Sequence, residues 1–233
     1  MTESVTKTET DAFVRAVREA LQRVAVPEDA EPMRAYMKSE MPFWGVKKTP
    51  RLSATKPVLA SLRRAEVEVA VAHATALFHG AEKREERYVA QDLLRVHRRN
   101  LGVRHLDALE SMVVEGAWWD HVDEIAAHLV GAVLRVEPEA TRPRLLAWAT
   151  SDDLWLRRTA ILAQLGFGAA VDRELFERCM APSIERREFW LRKAIGWALR
   201  QLSRSDGRWV RDYVAAHPEL STLSKKEALR LVT

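Results

Sequence analysis

The sequence predicts an all-α fold, a solenoid of antiparallel helix pairs, and three observations support that prediction. Apolar residues recur at helical spacing along most of the chain, and no stretch alternates convincingly with a period of two. Nine glycines and nine prolines in 233 residues are too few for a turn-rich β-sandwich. The segment Trp155–Arg158 returns 35 residues later as Trp190–Lys193, a period in the size class of HEAT-like repeats.

The individual helices follow from the apolar spacing and from the residues that interrupt it. Phe13, Val17 and Leu21 mark a first helix over residues 12–26, which Pro27 ends. A short helix over 29–39 stops before Pro42, and an ordered loop is predicted to follow it. Further helices with short polar breaks are predicted over 50–62, 66–79, 83–99, 103–115, 118–136, 139–149, 153–166, 171–181, 185–203, 207–216 and 222–231.

The domain organisation predicted from this pattern is simple. Residues 1–11 lack periodicity and are predicted to be a disordered tail, and residues 12–233 are predicted to form a single domain. A single cysteine excludes an internal disulfide and fits a reducing compartment. Because no charged-then-apolar leader and no run of 18 apolar residues occurs, we expect a cytoplasmic protein without a membrane span. Nothing in the sequence demands more than a monomer.

The 35-residue period also predicts which side chains share a face. Steps of 35 residues connect Tyr88, Asp123, Arg158 and Lys193. Equivalent positions of stacked repeats lie about 8–10 Å apart, so these side chains are predicted to form a row. Trp119 precedes Asp123 by one helical turn, and Trp197 follows Lys193 by one turn. The concave face of a solenoid usually binds extended partners, and a DNA duplex would fit such a polar, aromatic-flanked face.

Charge favours a polyanionic partner, although weakly. The formal net charge is only +4, but 37 basic residues raise the sequence pI to about 9.4. Several of them are candidates for phosphate contacts, while each alone is more often an ordinary solvated charge. These candidates are Lys47, Lys48, Arg157, Arg192, Lys193, Lys225 and Lys226.

Trp119 and Asp123 suggest a site for a cationic guest, because an indole face and a carboxylate both attract positive charge. Structural alternatives remain open at this point. Asp123 could be an exposed helix acid, or an ion-pair partner of Arg158 that ties two repeats together. Tryptophans are most often core residues. Trp118, Trp148, Trp155 and Trp190 are predicted to be core residues.

Other kinds of site are not indicated. The histidine pairs lack cysteines or carboxylates at ligand spacing, so we expect no metal. The segment Gly166–Gly168 lacks the third glycine and the preceding strand of a nucleotide-binding loop. Cys179 is predicted to be a small buried residue rather than a nucleophile. No cofactor is expected.

Three blocks together resemble a known family. Trp118–Asp123, Ser151–Arg158 and Lys193–Arg200 resemble the AlkD family of DNA alkylation repair glycosylases. Glu31–Met37 and Leu223–Ala228 look similar to that family as well. The resemblance runs from about residue 12 onward, and it implies HEAT-like repeats. It also implies monofunctional excision of cationic alkylated purines, such as 3-methyladenine and 7-methylguanine, from double-stranded DNA.

The same resemblance assigns residues to roles. It places the catalytic aspartate at Asp123, two lesion-site tryptophans at Trp119 and Trp197, and a phosphate-binding arginine at Arg158. Tyr36 matches a tyrosine near the same cleft. The chain departs from the family in its longer N-terminal tail and in a looser match over residues 78–99, which affects the expected DNA contacts of that segment.

Two functions of other classes remain as alternatives. One is a non-catalytic HEAT-like module that binds bent or branched DNA through the same basic face. The other is a protein-interaction scaffold, a common role of helical solenoids, which predicts an apolar groove. A retained catalytic aspartate favours the enzyme.

Overall fold

The computed structural model describes residues 5–232, whose regular secondary structure is entirely helical and includes no strand. The all-α prediction is therefore confirmed. The helices are α1 (Lys7–Gln22), α2 (Pro27–Met37), α3 (Lys48–Leu62), α4 (Val67–His79), α5 (Arg84–His97), α6 (Leu106–Gly116), α7 (Trp119–Glu124), α8 (Gly131–Val136), α9 (Pro138–Thr150), α10 (Leu154–Leu162), α11 (Arg173–Met180), α12 (Phe189–Ser203), α13 (Gly207–Ala216) and α14 (Thr222–Ala228). Within the described range, none of them is long and apolar enough to cross a membrane.

The first helix begins earlier than predicted. The Thr6 hydroxyl accepts a hydrogen bond from the Glu9 backbone N–H at 3.3 Å, and the Glu9 carboxylate accepts one from the Thr6 N–H at 2.8 Å. This reciprocal cap satisfies two helix-terminal donors and allows α1 to start at Lys7. The prediction of a disordered tail is thus wrong for residues 7–11, and residues 1–4 lie outside the described range.

The chain divides into two compact units, residues 1–100 and residues 101–233. The single domain over 12–233 stays a prediction. In the first unit α1 packs against α3, α4 and α5, and α4 pairs with α5. Val17, Leu21, Leu77 and Leu93 are fully buried there and form part of the core.

The ordered loop predicted before α3 is held by a buried carboxylate. Glu85 accepts hydrogen bonds from the backbone N–H groups of Trp44 at 3.0 Å and Val46 at 2.9 Å. Between these two residues Gly45 has φ 79°, and a Cβ there would lie 1.9 Å from the Val26 carbonyl oxygen. The turn therefore requires glycine.

The second unit carries the elements that matter for function. α10 packs against α7, α9 and α12, and α12 packs closely on α14. Leu162, Leu191, Ile195 and Leu199 are fully buried between these helices. α10 therefore connects α7 to α12 through direct packing.

The helix that begins at Trp119 runs to Val136, but its middle is not α-helical. Ile125–Val130 form a π-helical turn, here called the π-turn, between α7 and α8. Such turns are rare and often occur at functional sites. Gly131 follows immediately, and a Cβ at this position would lie 2.5 Å from the Ala163 carbonyl oxygen. The first residue of α8 and the residue that follows α10 can approach so closely only because residue 131 has no side chain.

Gly131→Ala is expected to destabilise the protein by roughly 1–3 kcal/mol, because an added methyl group must push two backbones apart. Urea unfolding measures the change. Gly166→Ala is the matched control, since a Cβ at residue 166 meets nothing within 4 Å; a change within about 0.5 kcal/mol is expected. Equal stability of the two variants would show that the close approach at Gly131 is absent in solution.

Candidate active site

The second unit contains an open cleft of about 420 Å³ that is walled on one side by α7 with the π-turn and on the other by α12. Its lining residues are Trp119, Asp120, Asp123, Glu124, Ala127, His128, Leu165, Gly166, Trp197 and Gln201. Three residues singled out from the sequence, Trp119, Asp123 and Trp197, thus lie in one cleft that is open to solvent.

A sharp reversal of the chain places Trp119 and Asp123. α6 ends at Gly116, and Ala117 adopts a left-handed conformation with φ 34°. Trp118 is extended and precedes the first residue of α7. Trp119 and Asp123 then stand one helical turn apart on the same face.

Asp123 forms a bidentate ion pair with Arg158, exactly one 35-residue repeat away in the sequence. The arginine Nε donates to Oδ1 at 2.7 Å, and its Nη2 donates to Oδ2 at 2.8 Å. The arginine side chain is 3% exposed and the aspartate side chain is 15% exposed. Because both carboxyl oxygens accept from a charged donor, Asp123 is ionised in this arrangement.

The remaining guanidinium nitrogen of Arg158 is also bonded. Its Nη1 donates to the Trp190 carbonyl at 2.6 Å, at the start of α12. The side chain is buried, and each of its three nitrogens makes a hydrogen bond within the protein. The structure thus gives Arg158 the position of a counter-ion to Asp123, and its role as a phosphate contact stays a prediction.

The block Ser151–Arg158 has a structural explanation in the start of α10. The Asp153 carboxylate accepts hydrogen bonds from the backbone N–H groups of Trp155 at 2.7 Å and Leu156 at 2.9 Å. An aspartate at this position satisfies donors that would otherwise be left without a helical partner. The cap fixes where α10 begins and therefore where Arg158 meets Asp123.

Burial raises the pKa of Asp123 above the usual aspartate value, and the hydrogen bonds and charge of Arg158 oppose that rise. The nearby carboxylate of Asp120 raises the pKa of Asp123 further. Glu124 also lines the cleft, and the described residues that line the cleft include neither lysine nor arginine. The cleft is therefore electrically negative and suited to a cationic guest.

The tryptophans of the second unit fall into three environments. Trp119 and Trp197 are half-buried in the cleft, and Trp197 also packs against the core of the unit. Trp148 is buried as predicted, with its Nε1 donating to Glu110 at 2.8 Å.

Trp118, Trp155 and Trp190 pack on one another instead of entering the core completely. Their ring centroids are 5.3 to 5.9 Å apart. All three are half-buried, so the core prediction holds for them only in part. Trp155 and Trp190 are separated by one repeat, and their contact shows that the 35-residue period corresponds to physical neighbours.

Several candidate phosphate contacts in the second unit are already engaged within the protein. Arg157 donates to the carbonyls of Ser151, Thr150 at 3.2 Å and Pro182 at 3.1 Å. Lys193 pairs with Glu227 at 2.6 Å. These two residues therefore have structural partners that the sequence did not reveal.

The other candidates differ in accessibility. Lys225 donates to the Pro218 carbonyl at 2.7 Å, and Arg192 is half-buried. Lys226 is exposed. In the first unit Tyr36 is 76% exposed, Lys48 is exposed, and Lys47 pairs with Asp29 at 2.6 Å.

Three further residues of the cleft were not singled out from the sequence. Glu124, His128 and Gln201 line the cleft beside the three expected residues. Glu124 adjoins Asp123, and His128 lies one helical turn after Glu124, so helical spacing could have indicated both residues. No group of three or more His, Cys, Asp or Glu side chains in the described part of the chain is arranged to hold a metal ion. Cys179 is buried, which raises the pKa of its thiol to about 12.

Arg158→Ala is expected to destabilise the protein by about 3–5 kcal/mol, because it leaves the carboxylate of Asp123 buried without its counter-charge. The exposed Arg187 provides the control, and Arg187→Ala should change the free energy of unfolding by less than about 0.5 kcal/mol. Combining Arg158→Ala with Asp123→Ala should recover part of the loss. The free energies of unfolding are measured in urea. If the double variant lost the sum of the two single losses, the pairing would be contradicted.

Comparison with known proteins agrees with the geometry. The family model for DNA alkylation repair enzymes matches residues 17–232. A solved structure described as a predicted DNA alkylation repair enzyme from Enterococcus faecalis is similar at a TM-score of 0.81 and 27% identity. That match covers 90% of this chain and 97% of the other. No protein of curated function matches the chain.

The family match spans nearly the whole chain, and it includes α7, α10 and α12, which surround the cleft. The resemblance drawn from the three sequence blocks is thereby confirmed at the level of the family. This chain belongs to the family of DNA alkylation repair enzymes.

Proposed function

We propose that this DNA repair enzyme is a monofunctional glycosylase that hydrolyses the N-glycosidic bond of cationic N3- or N7-alkylated purines in duplex DNA. The observation that carries the proposal is the cleft itself. An ionised carboxylate and two half-buried indoles line one solvent-accessible, negatively charged cavity. 3-Methyladenine and 7-methylguanine are the substrates that this chemistry fits.

The reaction needs an ionised carboxylate rather than a group that donates a proton. An N3- or N7-alkylated purine is already positively charged, so it can leave without being protonated. As the bond stretches, its electron pair moves to the base, which leaves neutral, and positive charge develops on the sugar. Asp123 is suited to stabilise that charge, because a fixed carboxylate in a partly dehydrated site costs little reorganisation.

The two indoles supply selectivity for damaged bases. The face of an indole attracts a cation, and each such contact contributes about 0.5–2 kcal/mol. An undamaged purine is neutral and gains less from Trp119 and Trp197. Asp120 and Glu124 also attract any cation that enters the cleft.

Arg158 is a positioning residue in this proposal. Its two hydrogen bonds fix the orientation of the Asp123 carboxylate and favour its charged form. Asp120 and Glu124 also line the cleft, so Asp123 is not its only acid beside the pair.

Contacts to the DNA backbone belong to the exposed residues of the candidate set. We propose Tyr36, Lys48 and Lys226 for this role, because their side chains are exposed. Lys47 would have to exchange Asp29 for a phosphate. Phosphate contacts supply salt-dependent, sequence-independent affinity.

Asp123→Asn is expected to reduce base release from methylated duplex DNA by about 10²- to 10³-fold, because the sugar cation loses its stabilising charge. Released bases are identified and quantified by chromatography after single-turnover incubation. Asp152→Asn is the matched control, since Asp152 is an exposed acid outside the cleft, and it should release base at the wild-type rate. Equal rates for Asp123→Asn and wild type would remove Asp123 from the mechanism.

The rate of base release is expected to fall as the pH is lowered through the pKa of Asp123. Because burial raises that pKa, the fall should begin at a higher pH than for an ordinary aspartate. The folded state binds this proton more tightly than the unfolded chain does, so the same titration does not by itself unfold the protein. A rate that stays constant down into the ordinary aspartate range would contradict the assignment; circular dichroism at each pH confirms that the fold persists.

A further inference from the structure

The first unit contains an open groove of about 420 Å³ between α3 and α5, here called the α3–α5 groove. Its α3 wall extends from Leu52 to Arg63, and the lining residues of that wall recur at the three- and four-residue spacing of one helix face. The groove has four basic residues, which are Lys56, Arg63, Arg95 and Arg98. None of them belongs to the phosphate candidates that the sequence indicated.

The basic side chains of the groove are accessible. Lys56, Arg63 and Arg98 are exposed, and Arg95 is half-buried. Within residues 5–232 neither Lys56 nor Arg63 has a carboxylate partner. Arg98 donates to the Arg95 carbonyl at 3.0 Å, a contact that does not neutralise its charge. The rim therefore presents positive charge to solvent.

The single acid among the described lining residues, Asp92, does not cancel this charge. Its carboxylate accepts hydrogen bonds from the Arg51 Nε at 3.0 Å and from the Arg51 Nη2 at 3.4 Å. Arg51 is buried beside the groove, with its guanidinium over the Tyr88 ring at 4.9 Å. Because Asp92 already has a counter-ion, the four basic lining residues leave the groove strongly positive.

This availability contrasts with the state of the candidates drawn from the sequence. Arg157 donates to three carbonyls, Lys193 pairs with Glu227, and Lys47 pairs with Asp29. A cation with a partner gains less from a phosphate, because the existing contact must first be broken. Lys56 and Arg63 have no carboxylate to give up.

We propose that the α3–α5 groove binds the sugar-phosphate backbone of duplex DNA, an inference that rests on the DNA partner of the proposed function but not on base excision. Lys56 and Arg63 are seven residues apart, about 10 Å along the helix. That distance corresponds to roughly three steps of about 3.4 Å along one strand. Two phosphates of the same strand can thus be contacted together.

The floor of the groove suits the sugars between those phosphates. Leu52 is 40% exposed and Val96 is 42% exposed, and both line the groove. Deoxyribose presents C–H groups that can cover such side chains, while its phosphates reach the basic rim. Contacts of this kind carry no base specificity. The groove therefore contributes affinity for any sequence, damaged or undamaged.

The double variant Lys56→Gln with Arg63→Gln tests the proposal on an undamaged 20-base-pair duplex. Affinity measured by fluorescence anisotropy should fall about 10-fold at about 0.1 M salt, because two phosphate contacts no longer release counter-ions. For the same reason the slope of log affinity against log salt concentration should become shallower by about 2. Circular dichroism verifies that the variants are folded.

The matched control is the double variant Arg15→Gln with Arg23→Gln. Both arginines are exposed residues of the same unit, neither lines the α3–α5 groove, and the net charge changes equally. The control should bind with the affinity and salt slope of wild type. Equal losses in the two double variants would mean that only net charge matters, and would overturn the proposal.

A disulfide trap reports the position of the DNA directly. Cys179 is the only cysteine of the chain and is buried, so Ala60→Cys introduces one accessible thiol in the groove. A duplex with a thiol tether on one backbone phosphate should form more disulfide with Ala60→Cys than with Ala12→Cys, an exposed position on α1. Equal yields at the two positions would overturn the proposal.

The remaining outcomes separate this groove from the proposed function. Wild-type affinity and salt slope in Lys56→Gln with Arg63→Gln would overturn the proposal and would favour an acidic protein segment as the occupant. A wild-type protein that does not bind the duplex would refute the groove proposal together with the glycosylase function. Duplex binding that depends on Lys56 and Arg63, without release of methylated base, would support the groove and refute only the glycosylase function.

Discussion

The ion pair between Arg158 and Asp123 is the interaction on which the site depends. One guanidinium contacts the carboxylate on α7 and the Trp190 carbonyl at the start of α12, and it is itself carried by α10. Three helices are thereby fixed around one cleft. Taking both charges out of water is expensive, and an apolar pair of the same volume would often be at least as stable. The pair is therefore better explained by the need for a charged carboxylate in the cleft than by stability.

The electrostatics of the cleft follow from an imbalance between its two walls. All of its acids, Asp120, Asp123 and Glu124, belong to α7, whereas α12 contributes Trp197 and Gln201. A cation that enters is attracted by the acids of the α7 wall, and its flat face can contact an indole on either wall. In the proposed reaction, this division favours an alkylated purine over a neutral one without a dedicated proton donor.

Much of the fold and the centre of the site could be predicted from the sequence because they depend on local pattern. Apolar spacing predicted the helices, and the 35-residue period made Asp123 and Arg158 neighbours, as their contact shows. The early start of α1 was missed although Thr6 and Glu9 have the spacing of a reciprocal cap. That signal was present in the sequence.

Other features could not be read from the sequence, because they arise only when distant segments meet. Arg157 donates to the Pro182 carbonyl and Lys193 pairs with Glu227, contacts that span 25 and 34 residues. For this reason the sequence could not show that these two candidate phosphate contacts also have partners within the protein. Likewise, the sequence could not show that Arg158 is buried against Asp123, because its charge is the same beside a carboxylate or a phosphate.

The π-turn is the clearest case in which tertiary packing determines the chemistry available to the site. Nothing in the residues of 125–130 distinguishes them from an ordinary apolar helix. The close approach of Gly131 to the Ala163 carbonyl accompanies the change in winding, where the π-turn packs against α10. In the structure Ala127 and His128 of the π-turn line the cleft together with Asp123 and Glu124. The wall that carries the carboxylate therefore includes backbone whose winding the apolar pattern did not predict.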